Sequence, residues 1–344
     1  MAVRVVTCPL ENRYTRLIGV RHPVVQEGMG PFRTTRLAAA VSEAGGLGTV
    51  SVPGAVGNLD EAAVELRRSV EECAAQTSQP FAVNIPIGQR RGGVAASALR
   101  YLDTVLQARR ADNAIERQLR VVTTSAGFPE GLTARLHDEG LLHQHKVGST
   151  RHARKAAAAG VDAVIAAGFE MGGHAPTSRM HTFVLVPNIA DAVDVPVVLT
   201  GGVRDGRGLA AALCLGADAV ALGTRFAVTT ENTQWSAGYR EAVLAAGESQ
   251  DMVIDGVFGP CRVLHNKGAD DIAAAQAAGT AHAAEKISAM RLAQIEGDVE
   301  RGLVLMGQVA SGITETVSAA ELVEQMVNDA AAALGAPRPS SGEW

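Results

Sequence analysis

The sequence predicts an α/β fold, a (β/α)8 TIM barrel with a C-terminal, mostly helical extension, and three observations carry that prediction. Eight short β-rich runs recur between residues 23 and 224, with helix-length segments between them. Most of the runs are continuously apolar rather than alternating, as parallel strands covered on both faces must be. Several intervening segments close in glycine just before the next run, where a left-handed residue ends a helix. A doubly wound sheet shares this alternation, and periodicity alone does not decide closure.

In order, the runs are 23–28 (PVVQEG), 47–52 (LGTVSV), 81–87 (FAVNIPI), 120–125 (RVVTTS), 141–147 (LLHQHKV), 163–168 (AVIAAG), 196–201 (PVVLTG) and 219–224 (AVALGT). The fifth is the most polar. Residues 34–44, 59–76, 94–108, 129–139, 151–159 and 207–215 are rich in Ala, Leu, Arg and Glu and read as helices. The phrases AGVDAV (159–164) and LGADAV (215–220) are one αβ joint used twice. The pattern changes after Phe226. Residues 227–268 are mixed, 270–296 are Ala-rich and helical, and 318–334 form an amphipathic helix. The expected division is a barrel core over 1–226, an extension over 227–334 packed on it, and a frayed Pro/Ser-rich tail over 335–344.

Composition narrows the partners. Lys plus Arg number 31 against 36 Asp plus Glu, a net charge of −5 with no dense basic run, so nucleic acid is not an expected partner. No 18-residue apolar run offers a membrane span. Residues 1–16 are broken by charges and lack a signal-peptide core. Cys8, Cys73, Cys214 and Cys261 are far apart. That spacing argues against a disulfide framework or a metal site and for a reducing, cytoplasmic compartment. Aromatics at 3% beside 37 glycines speak against an all-β sandwich.

In such a barrel the working groups lie at the C-terminal strand ends. The sharpest signal there is TGGVRDGRG (200–208) with LGTRF (222–226) one β/α unit later. Glycine lets backbone N–H groups approach an anion, and a helix N-terminus adds partial positive charge. The loops after the seventh and eighth strands commonly hold a phosphate, so Gly201, Gly202, Gly223 and Thr224 are candidates, unless these glycines only make tight turns. GFEMGGHAP (168–176) follows the sixth run. Gly172 and Gly173 leave room for a flat ligand, and His174 can exchange a proton near neutral pH; the plain alternative is a loop histidine bonded to its own turn. Gly28 and Met29 end the first run, although Met29 suits a core equally well. Asn84 offers a donor and an acceptor to a heterocycle edge, or caps a turn. Lys146 is a candidate ligand or a solvated charge. His143, His145, His181 and His265 lack a supporting pattern and read as structural or exposed. GGLG (45–48) precedes a strand, which removes a Rossmann reading.

Taken in order, QEGM (26–29), AGGLG (44–48), Asn84, GFEMGGH (168–174), TGGVRDG (200–206), LGTRF (222–226) and MGQVASG (306–312) resemble the nitronate monooxygenase family, formerly 2-nitropropane dioxygenases. FMN-dependent enoyl-acyl-carrier-protein reductases belong to the same superfamily. The resemblance implies a barrel holding FMN non-covalently. Gly201, Gly202, Gly223 and Thr224 would take its phosphate, Gly28, Met29 and Asn84 would lie along the isoalloxazine, and Lys146 would reach a flavin oxygen or the ribityl chain. His174 matches the family's candidate base. Three departures bear on the substrate: Glu27-Gly28 replaces a small residue and Pro, Met171 stands where Ala is usual, and Pro176 alters the loop. The activity implied first is oxidation of small alkyl nitronates or nitroalkanes with O2. The alternatives are NAD(P)H-dependent reduction of an enoyl thioester and flavin binding without catalysis. The C-terminal helices are an expected homodimer surface.

Overall fold

The computed structural model describes residues 10–54, 58–88 and 93–335. The eight predicted runs are all strands. They are β1 (Val24–Gln26), β2 (Gly48–Ser51), β3 (Phe81–Pro86), β4 (Leu119–Ser125), β5 (Leu142–Val147) and β6 (Ala163–Ala167), then, after a two-residue β7 (Gly173–His174), β8 (Val197–Thr200) and β9 (Ala219–Leu222). They pair in parallel in the order β1-β9-β8-β6-β5-β4-β3-β2.

The ring closes where β1 meets the residue ahead of β2. Gln26 N–H donates to Leu47 O at 2.9 Å, and Leu47 N–H donates to Val24 O at 2.9 Å. β1 then runs out, and the side chain of Gln26 continues the seam. Its Oε1 accepts from Thr49 N–H at 2.9 Å and its Nε2 donates to Thr49 O at 3.1 Å. A fully buried amide is thereby satisfied by backbone. This seam makes the sheet a barrel rather than an open doubly wound sheet.

The interior is filled by small and branched residues, among them Val25, Ala82, Val121, Ala163, Ile165, Val198 and Ala221. The helix Arg13–Ile18, absent from the sequence reading, plugs the N-terminal end with Tyr14 and Ile18. It is fixed there by Asn12 Nδ2 donating to Asp218 O (2.7 Å) and by the Arg13–Asp218 ion pair (2.7 Å). The opposite, C-terminal end is therefore the one left for chemistry.

Other differences have local causes. The helix Thr182–Ala190 joins β6 to β8 but reads TFVLVPNIA, a β-branched run with Pro187 inside, so composition hides it. The expected single helix over 270–296 is two, Lys267–Ala277 and Ala283–Arg291, because the chain turns at Gly279 with φ +71°. Residues 227–334 also hold an antiparallel hairpin, β10 (Asp251–Asp255) and β11 (Pro260–Leu264), to which β7 adds a third strand. The helix Ala319–Gly335 buries Leu322, Val323, Met326 and Ala330 in the core formed by Leu209, Ala210 and Phe226. A β-carbon at Gly206 would lie 2.6 Å from Met326 O, so this helix packs as the barrel's last helix does. The hairpin and its flanking helices thus sit between the last barrel strand and the last barrel helix. The tail over 336–344 lies outside the described residues. Among the described residues no helix is long and apolar enough to cross a membrane.

β5 explains the polar fifth run. Gln144 and Lys146 face the barrel interior, where Gln144 pairs with Tyr14 and Thr123. His143 and His145 face the helix layer, buried, and share the Thr124 hydroxyl at 2.7 Å each; Thr133 Oγ1 lies 2.9 Å from the other nitrogen of His143. Burial pushes His143 down to about 3 and His145 down to about 4. Both are neutral in the fold, whereas in the unfolded chain each takes a proton below about 6.5. The unfolded state then binds more protons, so this stability is complete above about pH 6.5 and lost as pH falls towards the folded values. The urea midpoint is expected to decline already between about pH 6.5 and about pH 5, above the range where most carboxylates titrate. A midpoint that stays level over that interval would show that these imidazoles are not held neutral.

Candidate active site

The predicted residues gather at the C-terminal rim in two linked groups. In the first, Gly28 lies against Asn84: a β-carbon at Gly28 would be 2.4 Å from Asn84 Cβ and 2.7 Å from its Nδ2. Met29 N–H donates to Ser51 Oγ at 2.7 Å, which fixes the turn leaving β1. Met29 Sδ and Glu27 Cβ are the neighbours a side chain at Gly223 would meet, both at 3.9 Å. Lys146 reaches across the barrel mouth to Glu27 Oε2 at 2.7 Å, and both side chains are largely buried. Met29 also packs against two hydrophobic clusters, so it is core and rim at once.

The second group surrounds the glycine bends. Gly201 and Gly202 have φ of +100° and +77°, which L side chains adopt only at a cost. Side chains there would point at Met171 and at the Thr182–Glu170 pair respectively. The Glu170 carboxylate is already engaged by Thr182, through its N–H at 2.9 Å and its hydroxyl. The helix Gly206–Cys214 was expected to lend its N-terminus to an anion. Its own Asp205 takes that place, accepting from Arg207 N–H (3.1 Å) and Gly208 N–H (3.2 Å). The backbone N–H groups at the two glycines remain open to an anion, beside the Arg204 side chain. Gly172 meets the late MGQ segment: a β-carbon there would be 2.6 Å from Gly307 N. Gly307 N–H in turn donates to Thr224 Oγ1 at 2.9 Å, which leaves the Thr224 hydroxyl proton free to donate.

His174 stands between the groups. Gly173 and His174 form β7, with Cys261 opposite His174 and Arg262 opposite Gly173. Its Nε2 accepts from Val257 N–H at 2.9 Å. Phe258, 47% exposed, lies with its ring centroid 5.3 Å from that of the imidazole. Burial first, then the Lys146 and Lys286 charges, push His174 down to about 4, against a smaller upward pull from Asp255.

The hairpin that supplies Val257 and Phe258 is anchored by a buried Arg262, paired with Asp251 and donating to Phe169 O at 2.8 Å. Lys286 donates to Gly256 O at 3.0 Å. Val257, Phe258 and Lys286 were not among the candidates from sequence. The available signal was the turn chemistry of DGVFGP (255–260) between two β-prone runs. His143 and His145 lie outside the rim, in the helix layer.

The rim suits a flavin on its own geometry. Asn84 Oδ1 and Glu27 Oε1 are buried acceptors without a hydrogen-bond partner among the described residues, a state proteins rarely leave uncompensated. They lie beside a surface kept flat by Gly28; Gly223 ends the neighbouring strand β9, and the Gly201–Gly202 bend ends β8, one strand further on.

A family model described as nitronate monooxygenase matches residues 11–329. A Mycobacterium tuberculosis protein named (3aS,4S,5R,7aS)-5-hydroxy-7a-methyl-1-oxo-octahydro-1H-indene-4-carboxyl-CoA dehydrogenase is 33% identical, over 93% of this chain and 96% of the relative. Among solved structures, FabK from Thermotoga maritima superposes with a TM-score of 0.81 at 34% identity, over 93% of this chain and 96% of that one. Nitroalkane oxidase from Streptomyces ansochromogenes does so with a TM-score of 0.78 at 26% identity, over 94% and 99%. The chain belongs to the nitronate monooxygenase family, and it is an enzyme of that family's flavin-dependent oxidoreductase class.

Proposed function

We propose that the protein is an FMN-dependent oxidoreductase whose substrate is an acyl group carried as a thioester. FMN supplies the redox chemistry when bound, passing electrons between the substrate and a second partner. Gly201, Gly202, Gly223 and Thr224 would hold its phosphate. Gly28, Met29 and Asn84 would lie along its ring, Lys146 would meet a flavin oxygen, and Gly172 and Gly173 would keep the face near His174 open.

The observation that carries the substrate class is the hydrogen bond by which Val257 N–H occupies His174 Nε2 at 2.9 Å. The lone pair a base would use is thereby taken, and desolvation with the nearby Lys146 and Lys286 charges pushes the ring down to about 4, below working pH. Neutral nitroalkanes need a base matched to that pH, which His174 is not. A thioester carbonyl instead needs a hydrogen-bond donor, which the ring's remaining N–H can be without acting as a base. The full-length similarity to a carboxyl-CoA dehydrogenase points the same way. The second reading is oxidation of a preformed nitronate with O2. It needs no base, and the family and the nitroalkane oxidase likeness favour it.

The purified protein is expected to be yellow, with bands near about 370 and 450 nm. NADH under anaerobic conditions should bleach it, and a 2-enoyl-CoA should restore the colour. Bleaching by ethyl nitronate but not by NADH or any acyl-CoA would replace the first reading with the second. A colourless protein that fails to take up FMN would end both. Gly202→Val should weaken FMN binding about tenfold, because a β-branched residue is strained at φ +77° and the backbone that relaxes to relieve it turns its N–H donors from the phosphate. Fluorescence titration of the folded variant reads this directly, and an unaltered Kd would place the phosphate elsewhere.

A further inference from the structure

We propose that the turn between β10 and β11 is a tautomer clamp on His174. Val257 N–H occupies Nε2, so the ring proton is held on Nδ1 and His174 serves the site as a neutral hydrogen-bond donor, not as a base. The argument is geometric. A backbone N–H at 2.9 Å can only be received by an unprotonated nitrogen. The neutral ring then carries its proton on Nδ1, where no hydrogen bond from the described residues is made. The imidazolium would set an N–H against Val257 N–H, and a bond made only to the neutral form disfavours the charged one.

The turn is braced for this task. Gly256 N–H donates to Gly259 O at 2.7 Å, and Lys286 holds Gly256 O at 3.0 Å. A β-carbon at Gly256 would fall 2.7 Å from His174 Nε2 and 2.7 Å from Cys261 Cβ. The turn therefore approaches the ring as closely as glycine permits. The tilted ring of Phe258 covers one side of the imidazole. The charged groups facing His174 are Lys146 from β5, Lys286 from the helix Ala283–Arg291 and Asp255 from β10; the buried Cys261 thiol lies opposite on β11. Lys146 is itself paired with Glu27 and Lys286 lies 3.6 Å from Asp255, so desolvation of the ring and the Val257 N–H, more than net charge, oppose its protonation. Val257 is thus a positioning residue, and the ligand chemistry it prepares for is an electron-rich oxygen such as a thioester carbonyl. A neutral histidine polarising a carbonyl is a known catalytic arrangement. That last role rests on the acyl-thioester reading; the tautomer does not.

The test is long-range 1H–15N correlation of the histidine-labelled holoenzyme, with the His174 signals identified by their loss in His174→Asn. From about pH 5 to about pH 8, His174 is expected to stay neutral, Nδ1 carrying the proton and Nε2 showing the shift of an unprotonated ring nitrogen. An Nε2–H tautomer, or a titration near the ordinary histidine value, overturns the proposal whatever the enzyme's substrate. Val257→Pro removes the donor. It should populate the Nε2–H tautomer and raise the His174 pKa, and an unchanged Nδ1–H ring in that variant overturns the clamp. If the variant does not fold, the wild-type spectrum still decides. If the tautomer is as expected while acyl thioesters neither bleach nor recolour the flavin, the substrate reading fails alone.

Discussion

His174→Ala is expected to lower kcat/KM on the acyl-thioester substrate by about 10²–10³-fold, while His174→Gln stays within about tenfold of wild type. A donor aimed at a carbonyl oxygen in a water-poor site is worth several kcal/mol, because the alternative is an unsolvated developing charge. Glutamine keeps an N–H on a side chain of comparable reach. It cannot take up a proton, so a general base would be lost equally in both variants. The pH profile adds a second discriminator. With His174 held near 4, kcat/KM should show no limb near the ordinary histidine pKa of about 6.5. Equal losses in the alanine and glutamine variants, together with an acid limb near that value, would restore the base role that the family resemblance implies.

The sequence carried the barrel because parallel strands buried on both faces leave continuous apolar runs, and LGADAV-type joints mark where each begins. It carried the rim for a related reason. Gly28, Gly172, Gly201 and Gly202 stand where a β-carbon would strike a neighbour or the backbone turns left-handed, and such positions show directly in residue type. What stayed hidden depends on distance along the chain. Val257 meets His174 across 83 residues and does so through its backbone N–H, which every residue but proline has, so no side chain announces the contact. Glu27 and Lys146 are 119 residues apart; either alone reads as a surface charge. Thr182–Ala190 was hidden by composition, since its β-branched residues lower helix propensity and packing between β6 and β8 overrides them. The anion role of the helix at Gly206 was over-read, because the same Asp205 that marks a helix start also consumes its first N–H groups.

Lys146→Met is expected to lower the free energy of unfolding by about 3–5 kcal/mol at neutral pH. The side chain of Glu27 is 7% exposed and that of Lys146 16%. Methionine replaces the lysine stem at similar volume but leaves a carboxylate in the barrel mouth with no counter-ion. Glu27 Oε1 already lacks a partner, and Lys146 is the one ion-pair partner of Oε2, among the described residues, so its loss strands the whole group. Glu27→Gln should cost less, because the long Lys146 stem can carry its ammonium towards the rim. The double variant Glu27→Gln/Lys146→Met should recover much of the loss, since a buried pair removed together is often near neutral. The resulting coupling should exceed about 1 kcal/mol, well beyond the roughly 0.5 kcal/mol scatter of independent sites; urea unfolding of the four proteins measures it, and simple additivity would refute a buried ion pair. FMN affinity separates structure from function here. Lys146 as a flavin ligand contributes a charge-assisted hydrogen bond, worth about 1.5–3 kcal/mol. The double variant should therefore fold nearly as well as wild type yet bind FMN at least about tenfold more weakly. Recovery of both stability and affinity would confine Lys146 to holding Glu27.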